Sequence, residues 1–143
     1  MKQKQPNALI LFGLTLGLGA CQAPGPGSYG ANEQREIDAA LDRMEVRLGE
    51  EQRSISNFTV NGFRPINESN VVVTSGVNDH YLINLTIPCL GLPYAFTMRV
   101  DSRTSNITSF DDLIVNDLSG QPERCQISKI YRLEETGAAS TQN

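Results

Sequence analysis

The chain has 143 residues, 39% of them hydrophobic and 20% charged, and its 16 acidic against 12 basic side chains give a net charge of −4. That length holds one domain with a sizeable core. Lys and Arg stand singly along it, so there is no basic patch to neutralise a phosphate backbone, which argues against nucleic acid as a partner.

Lys2 and Lys4 open the chain, an apolar run follows from Ala8 to Leu18, and Gly19 and Ala20 precede Cys21. A basic start, an apolar stretch and small residues in that order form an export signal. At 1.5 Å of rise per residue the run falls short of a hydrocarbon core about 30 Å thick, so it is read as a processing signal and not a permanent span. Ordinary cleavage wants a small side chain where Leu18 stands. Lipoprotein processing accepts leucine there, removes residues 1–20 and leaves Cys21 as an acylated first residue.

Each buried methylene contributes about 0.8 kcal/mol and a single chain binds only marginally, so two or three chains fix a protein to a bilayer. Gln22 stands where an aspartate would favour inner-membrane retention, which points to the periplasmic face of the outer membrane. Losing Lys2 and Lys4 leaves 10 basic against 16 acidic groups, a net charge of −6. Membrane contact is therefore expected through lipid on Cys21, not through charge.

Residues 21–31 comprise the acylated cysteine and a run rich in Pro and Gly (Ala23, Pro24, Gly25, Pro26, Gly27, Ser28, Tyr29, Gly30) that supports neither helix nor ladder and reads as a flexible tether. Residues 32–135 form the single globular domain. The small, polar end from Thr136 to Asn143 reads as a disordered tail.

Within the domain, Ile37, Leu41, Met44 and Leu48 recur four, three and four apart, predicting an amphipathic helix from Glu33 to Leu48. Asn32 is its expected cap, Glu33 and Glu36 suit its first turn, and Gly49 offers a stop. Beyond Ser54 the pattern turns to short β-branched runs separated by polar turns, the mark of antiparallel strands. Val71–Thr74, the turn residues Gly76–Asp79, and Tyr81, Ile83, Leu85 and Ile87 alternating with Leu82, Asn84 and Thr86 predict a hairpin.

Pro88 stops that strand and Leu90–Pro93 redirects the chain. Phe96, Met98 and Val100 then alternate with Thr97, Arg99 and Asp101, one face buried and one wet. Ile107–Phe110 and Leu113–Val115 are short candidates separated by Asp111 and Asp112, and Cys125–Leu133 is the last strand. There Ile127, Tyr131 and Leu133 share a face that Ile130 does not, so either both faces are covered or a bulge shifts the phase. The fold class expected is α+β: an N-terminal amphipathic helix packed on a small antiparallel sheet, its closure into a barrel left open, with one disulfide.

Export leaves Cys89 and Cys125 where disulfides form and persist, and we pair them as a structural staple. A thiolate metal site is not expected, because C-x-x-C spacing is absent and one histidine cannot complete a four-ligand shell with two cysteines.

Ser56 with Phe58, Phe63, the run Tyr81-Leu82-x-x-Leu85-x-x-x-Cys89-x-x-Leu92-x-x-Ala95, Asp112, and Cys125-x-Ile127-x-x-Ile130 together resemble a family of small exported proteins of unknown function, mostly Gram-negative, many of them lipoproteins. Relatives tend to carry tryptophan where Phe63 stands and a tighter Ser-Phe step than Ser56, Asn57, Phe58. The resemblance implies a shared fold and a shared Cys89–Cys125 bridge, and no reaction, substrate or cofactor.

His80 is the sole histidine and follows Asp79, a pair that invites an acid–base reading, yet neighbours on a strand point to opposite faces. Asp111 and Asp112 diverge likewise and are not followed by a calcium loop. Nucleophile-elbow and phosphate-loop motifs are absent. N-x-S/T triplets at Asn57, Asn67, Asn84 and Asn106 are chance matches in an acylated bacterial chain. No catalytic residue, metal or cofactor is therefore expected. The expected function is that of a non-enzymatic envelope accessory or binding module, with an envelope protein as a possible partner. Its competitors are a small hydrolase or metal-dependent enzyme using His80, Asp79 and Asp112, and a structural envelope spacer.

Overall fold

The computed structural model describes residues 30–56 and 60–137. The signal segment, Cys21, the tether as far as Tyr29, Phe58 and the tail beyond Gly137 lie outside the described residues.

The α+β expectation is overturned: among the described residues about half lie in strands and one short helix is present, so this part of the chain is mostly β. That helix, α1 (Ala31–Arg43), begins after Gly30 and ends well before Leu48. Met44 closes it, Glu45 takes a left-handed backbone with φ 56°, and the chain turns into β1 (Val46–Gln52). The spacing that placed Leu48 on the helical stripe is overridden because β1 pairs antiparallel with the last strand, Leu48 opposite Leu133. Asn32 is no cap; it lies inside the first turn, where its side-chain oxygen accepts from Arg35.

Gly49 does not stop the helix either. It sits in an irregularity of β1 between Leu48 and Glu51, where a Cβ would lie 2.8 Å from the Arg132 carbonyl oxygen. The missing side chain is what lets the two backbones approach.

The other strands are β2 (Ser54–Ser56), β3 (Val60–Pro65), β4 (Asn70–Ser75), β5 (Asp79–Leu85), β6 (Thr97–Asp101), β7 (Asn106–Thr108), β8 (Asp112–Asn116) and β9 (Pro122–Glu135). The main sheet runs β3-β4-β5-β9-β8-β6, with β1 added alongside β9, while β2 and β7 form a separate ribbon. Every pairing is antiparallel. The sheet curls into a nearly closed barrel, and its two ends, β3 and β6, line a common groove through Val60, Phe63, Thr97 and Met98.

The expected hairpin forms as β4 and β5, with Val73 opposite Tyr81, and Gly76 at φ 65° takes the left-handed position of its turn. Alternation then sorts the side chains. Val71, Val73, Ile83 and Leu85 enter the barrel core with Leu113, Val115 and Ile127. Val72 and Leu82 face outward and are covered by Ile37 and Leu41 of α1.

Both readings of the last strand hold. β9 carries an irregularity opposite Asn84 and Leu85, which pair with Lys129 and Ile127, so Ser128 is the extra residue and Ile130 rejoins Ile127 in the barrel core. The opposite face is covered too, since Tyr131 and Leu133 pack in the cluster beneath α1.

A polar layer ties α1 to the sheet. Buried Asn70 donates to Glu33 at 2.6 Å and to Asn67 at 2.9 Å, accepts from buried Asn84, and Asn67 donates to Glu36 at 2.8 Å. Buried amides this well engaged fix the seating of the helix.

Candidate functional site

Cys89 and Cys125 form a disulfide, with Cα atoms 5.8 Å apart and both side chains inside the barrel core. Cys125 comes from β9. Cys89 comes from the segment after β5, fixed by its own N–H to the Glu68 carbonyl at 2.7 Å. Glu123 lies beside the sulfurs, so three residues of metal-binding type, two cysteines and a glutamate, meet here. The thiols are consumed by the S–S bond, however, and the Glu123 carboxylate accepts the Leu90 and Gly91 N–H groups at 3.1 and 2.6 Å. The cluster is a brace: a Cβ at position 91 would stand 2.9 Å from that carboxylate.

The three residues of the hydrolytic alternative are not brought together. Asp79 pairs with Arg132 at 2.7 Å, His80 Nδ1 lies 3.2 Å from the Thr74 hydroxyl, and Asp112 accepts from Arg124 at 2.8 Å. His80 stands opposite Leu133 and Asp112 opposite Gln126, seven residues apart along β9, a separation of roughly 20 Å in an extended strand. A proton cannot be handed directly between groups so far apart.

Asp111 is spent locally, accepting the Thr108 N–H and hydroxyl at 2.7 and 2.9 Å, so it and Asp112 turn to different partners. Arg124 bridges Asp112 and Asp101, and those carboxylates raise its pKa. Beside this bridge a cleft of about 450 Å³ is lined by Arg103, Thr104, Phe110 and Asp111. A second groove, about 440 Å³, lies between the start of α1 (Asn32, Glu33, Glu36) and Glu68, Ser69 and Pro93.

The remaining surface feature was not anticipated. Phe96 had been expected on a buried face, and Ile87 in the core alternation of its strand. Instead Ile87, Leu90, Tyr94, Phe96 and Leu118 are each between 63% and 87% exposed. They project from two loops at one end of the barrel, 86–96 and 117–120. The loops are joined: Phe96 N–H donates to the Asn116 carbonyl at 3.1 Å, and a Cβ on Gly91 would lie 3.8 Å from that of Asp117. Pro88, Pro93 and the 3-10 turn Leu92–Tyr94 take this chain out of the ladder, so strand periodicity no longer reports burial there.

No curated protein and no solved structure shows significant similarity to the chain. Residues 4–143 match a family model, so the chain belongs to a family of unknown function (DUF6491).

Proposed function

We propose that the mature protein is a lipoprotein of a Gram-negative envelope, anchored by Cys21 to the periplasmic face of the outer membrane, and that it acts by binding and not by catalysis. The observation that carries the reading is the sequence Leu18-Gly19-Ala20-Cys21 closing a short apolar run that starts with Lys2 and Lys4. The buried Cys89–Cys125 bond supports it, because such bonds persist in oxidising compartments such as the periplasm. The separate engagements of Asp79, His80 and Asp112 support binding over hydrolysis.

Complementation tests the reading. A strain lacking the protein is supplied with the wild-type chain, with Cys21→Ser, or with a chain carrying Asp79→Ala, His80→Ala and Asp112→Ala together. The triple variant is expected to restore the wild-type phenotype and Cys21→Ser to fail. Restoration by Cys21→Ser would remove the anchor from the account. Loss with the triple variant, at unchanged protein level, would return the hydrolytic alternative.

A further inference from the structure

We propose that the apolar end of the barrel, formed by Ile87, Leu90, Tyr94, Phe96 and Leu118, is a second membrane contact that seats the domain on the bilayer in one orientation. The inference rests on the anchored reading above and deepens it: the lipid on Cys21 tethers the protein, and this surface faces it.

Position is the first argument. The described chain starts at Gly30, the cap of α1, and the start of α1 shares a groove with Pro93 through Asn32 and Glu33. Asn70 and Asn67 hold that end of the helix to the loop before β4, and Cys89 N–H binds Glu68 of the same loop. The attachment point of the anchor and the exposed apolar loops therefore lie at the same end of the barrel. Only residues 22–29 stand between Gly30 and the acylated Cys21, a span of at most about 30 Å when fully extended. The anchored end cannot stray far from the lipid.

Composition is the second argument. A bilayer boundary accommodates aliphatic side chains together with amphipathic aromatic ones, as Leu90, Ile87 and Tyr94 provide. Large apolar side chains gathered on one rim mark a contact surface. The opposite end of the β4–β5 hairpin differs, since its turn Gly76-Val77-Asn78 presents one large apolar side chain, Val77.

Charge selects the lipid. Glu33, Glu36 and Glu68 line the groove next to Pro93, Asp117 opens the 117–120 loop, and Glu123 stands against Gly91 of the other. These carboxylates repel anionic headgroups, so the surface suits a zwitterionic leaflet. The rigid mounting of the loops fits the same role: the disulfide and Glu123 fix the 89–91 segment, which presents the side chains without further ordering.

The chain contains no tryptophan, so a single introduced indole reports its own surroundings. Full-length protein carrying Tyr94→Trp, or Val77→Trp as the control, is matured in a Gram-negative host, purified from membranes and reconstituted into phosphatidylcholine vesicles with brominated acyl chains. Val77 is 90% exposed, and ten residues of hairpin separate it from Ile87, roughly 30 Å of extended strand. The expected result is a blue-shifted emission for Tyr94→Trp, quenched at least twofold relative to unbrominated vesicles, with Val77→Trp emitting as in water and unquenched.

An acylated, vesicle-bound protein in which both tryptophans emit as in water would overturn the inference and leave the anchor standing. That is also the outcome expected if the rim receives a protein instead. Equal quenching at both positions would overturn the fixed orientation. Failure of the anchored reading is separately visible as a mass without acyl chains, and overturns the inference with it.

Discussion

Reduction of the Cys89–Cys125 bond gives the most quantitative test of how the fold is held. The bridge joins residues 36 apart, and closing a loop of that length removes about 13 cal/mol/K of chain entropy from the unfolded state, about 4 kcal/mol at 25 °C. Against the 5–15 kcal/mol typical of whole domains this is a large share. The loop contains the 3-10 turn, β6, β7 and β8, and among the described residues β6 joins the main sheet through β8 alone. The staple therefore acts at the base of the excursion with the fewest other ties. The assay is urea unfolding followed by circular dichroism, comparing oxidised protein with protein kept reduced, so that composition and core positions are unchanged. With a slope of about 1–3 kcal/mol/M for a small domain, the midpoint falls by roughly 1.5–4 M, and hydrogen exchange in β6 and β8 rises before that in β4 and β5. A midpoint shift below about 0.5 M at unchanged slope would refute the reasoning, because it would leave less than about 1.5 kcal/mol for the cross-link.

Gly49→Ala places a Cβ 2.8 Å from a backbone carbonyl in the β1–β9 ladder, and is expected to cost about 1–3 kcal/mol in the same unfolding assay, as overpacking does. Leu82→Ala opens a cavity between β5 and α1, where Leu82 is wholly buried; its expected cost is about 2–5 kcal/mol, while Val77→Ala on the exposed turn stays within about 0.5 kcal/mol. The Ser119 hydroxyl, then its backbone N–H, hold the Asp117 carboxyl below the usual 3.8. A carboxyl lowered in the folded state contributes stability that is present above its unfolded pKa and lost as pH falls through the folded one. Ser119→Ala should therefore raise the NMR titration midpoint of Asp117 and lower stability only above about pH 4, where the unfolded carboxyl is ionised.

The parts of the fold legible in the sequence are those where one period operates undisturbed. Val71–Thr74 and Tyr81–Leu85 alternate around a turn that includes Gly76, and they form a hairpin whose register places Val73 against Tyr81. The helix end was not legible. Leu48 continues the helical spacing of Ile37, Leu41 and Met44, and nothing local shows that Glu45 turns left-handed or that Val46–Gln52, with few β-branched residues, is recruited by β9. Gly49 illustrates the same limit, since a glycine after an apolar periodic run signals a helix stop until the partner strand is known.

For β9 the sequence exposed the conflict at Ile130 but could not resolve it, because the extra residue Ser128 is defined only by its pairing with β5. The disulfide was legible from the cysteine count, from the export expected of the N-terminal segment, and from the family resemblance. The apolar barrel end was not: Phe96 and Ile87 each continue a strand alternation in sequence, yet lie just outside the ladder, where alternation ceases to govern exposure.

Export of the chain and its retention by an acylated Cys21 are tested most directly by the intact mass of protein purified from host membranes under non-reducing conditions. The mass expected is that of residues 21–143 carrying acyl chains on Cys21 and lacking the two hydrogens lost on forming the Cys89–Cys125 bond. A chain retaining Met1, or one starting at Cys21 with no added acyl mass, would contradict it.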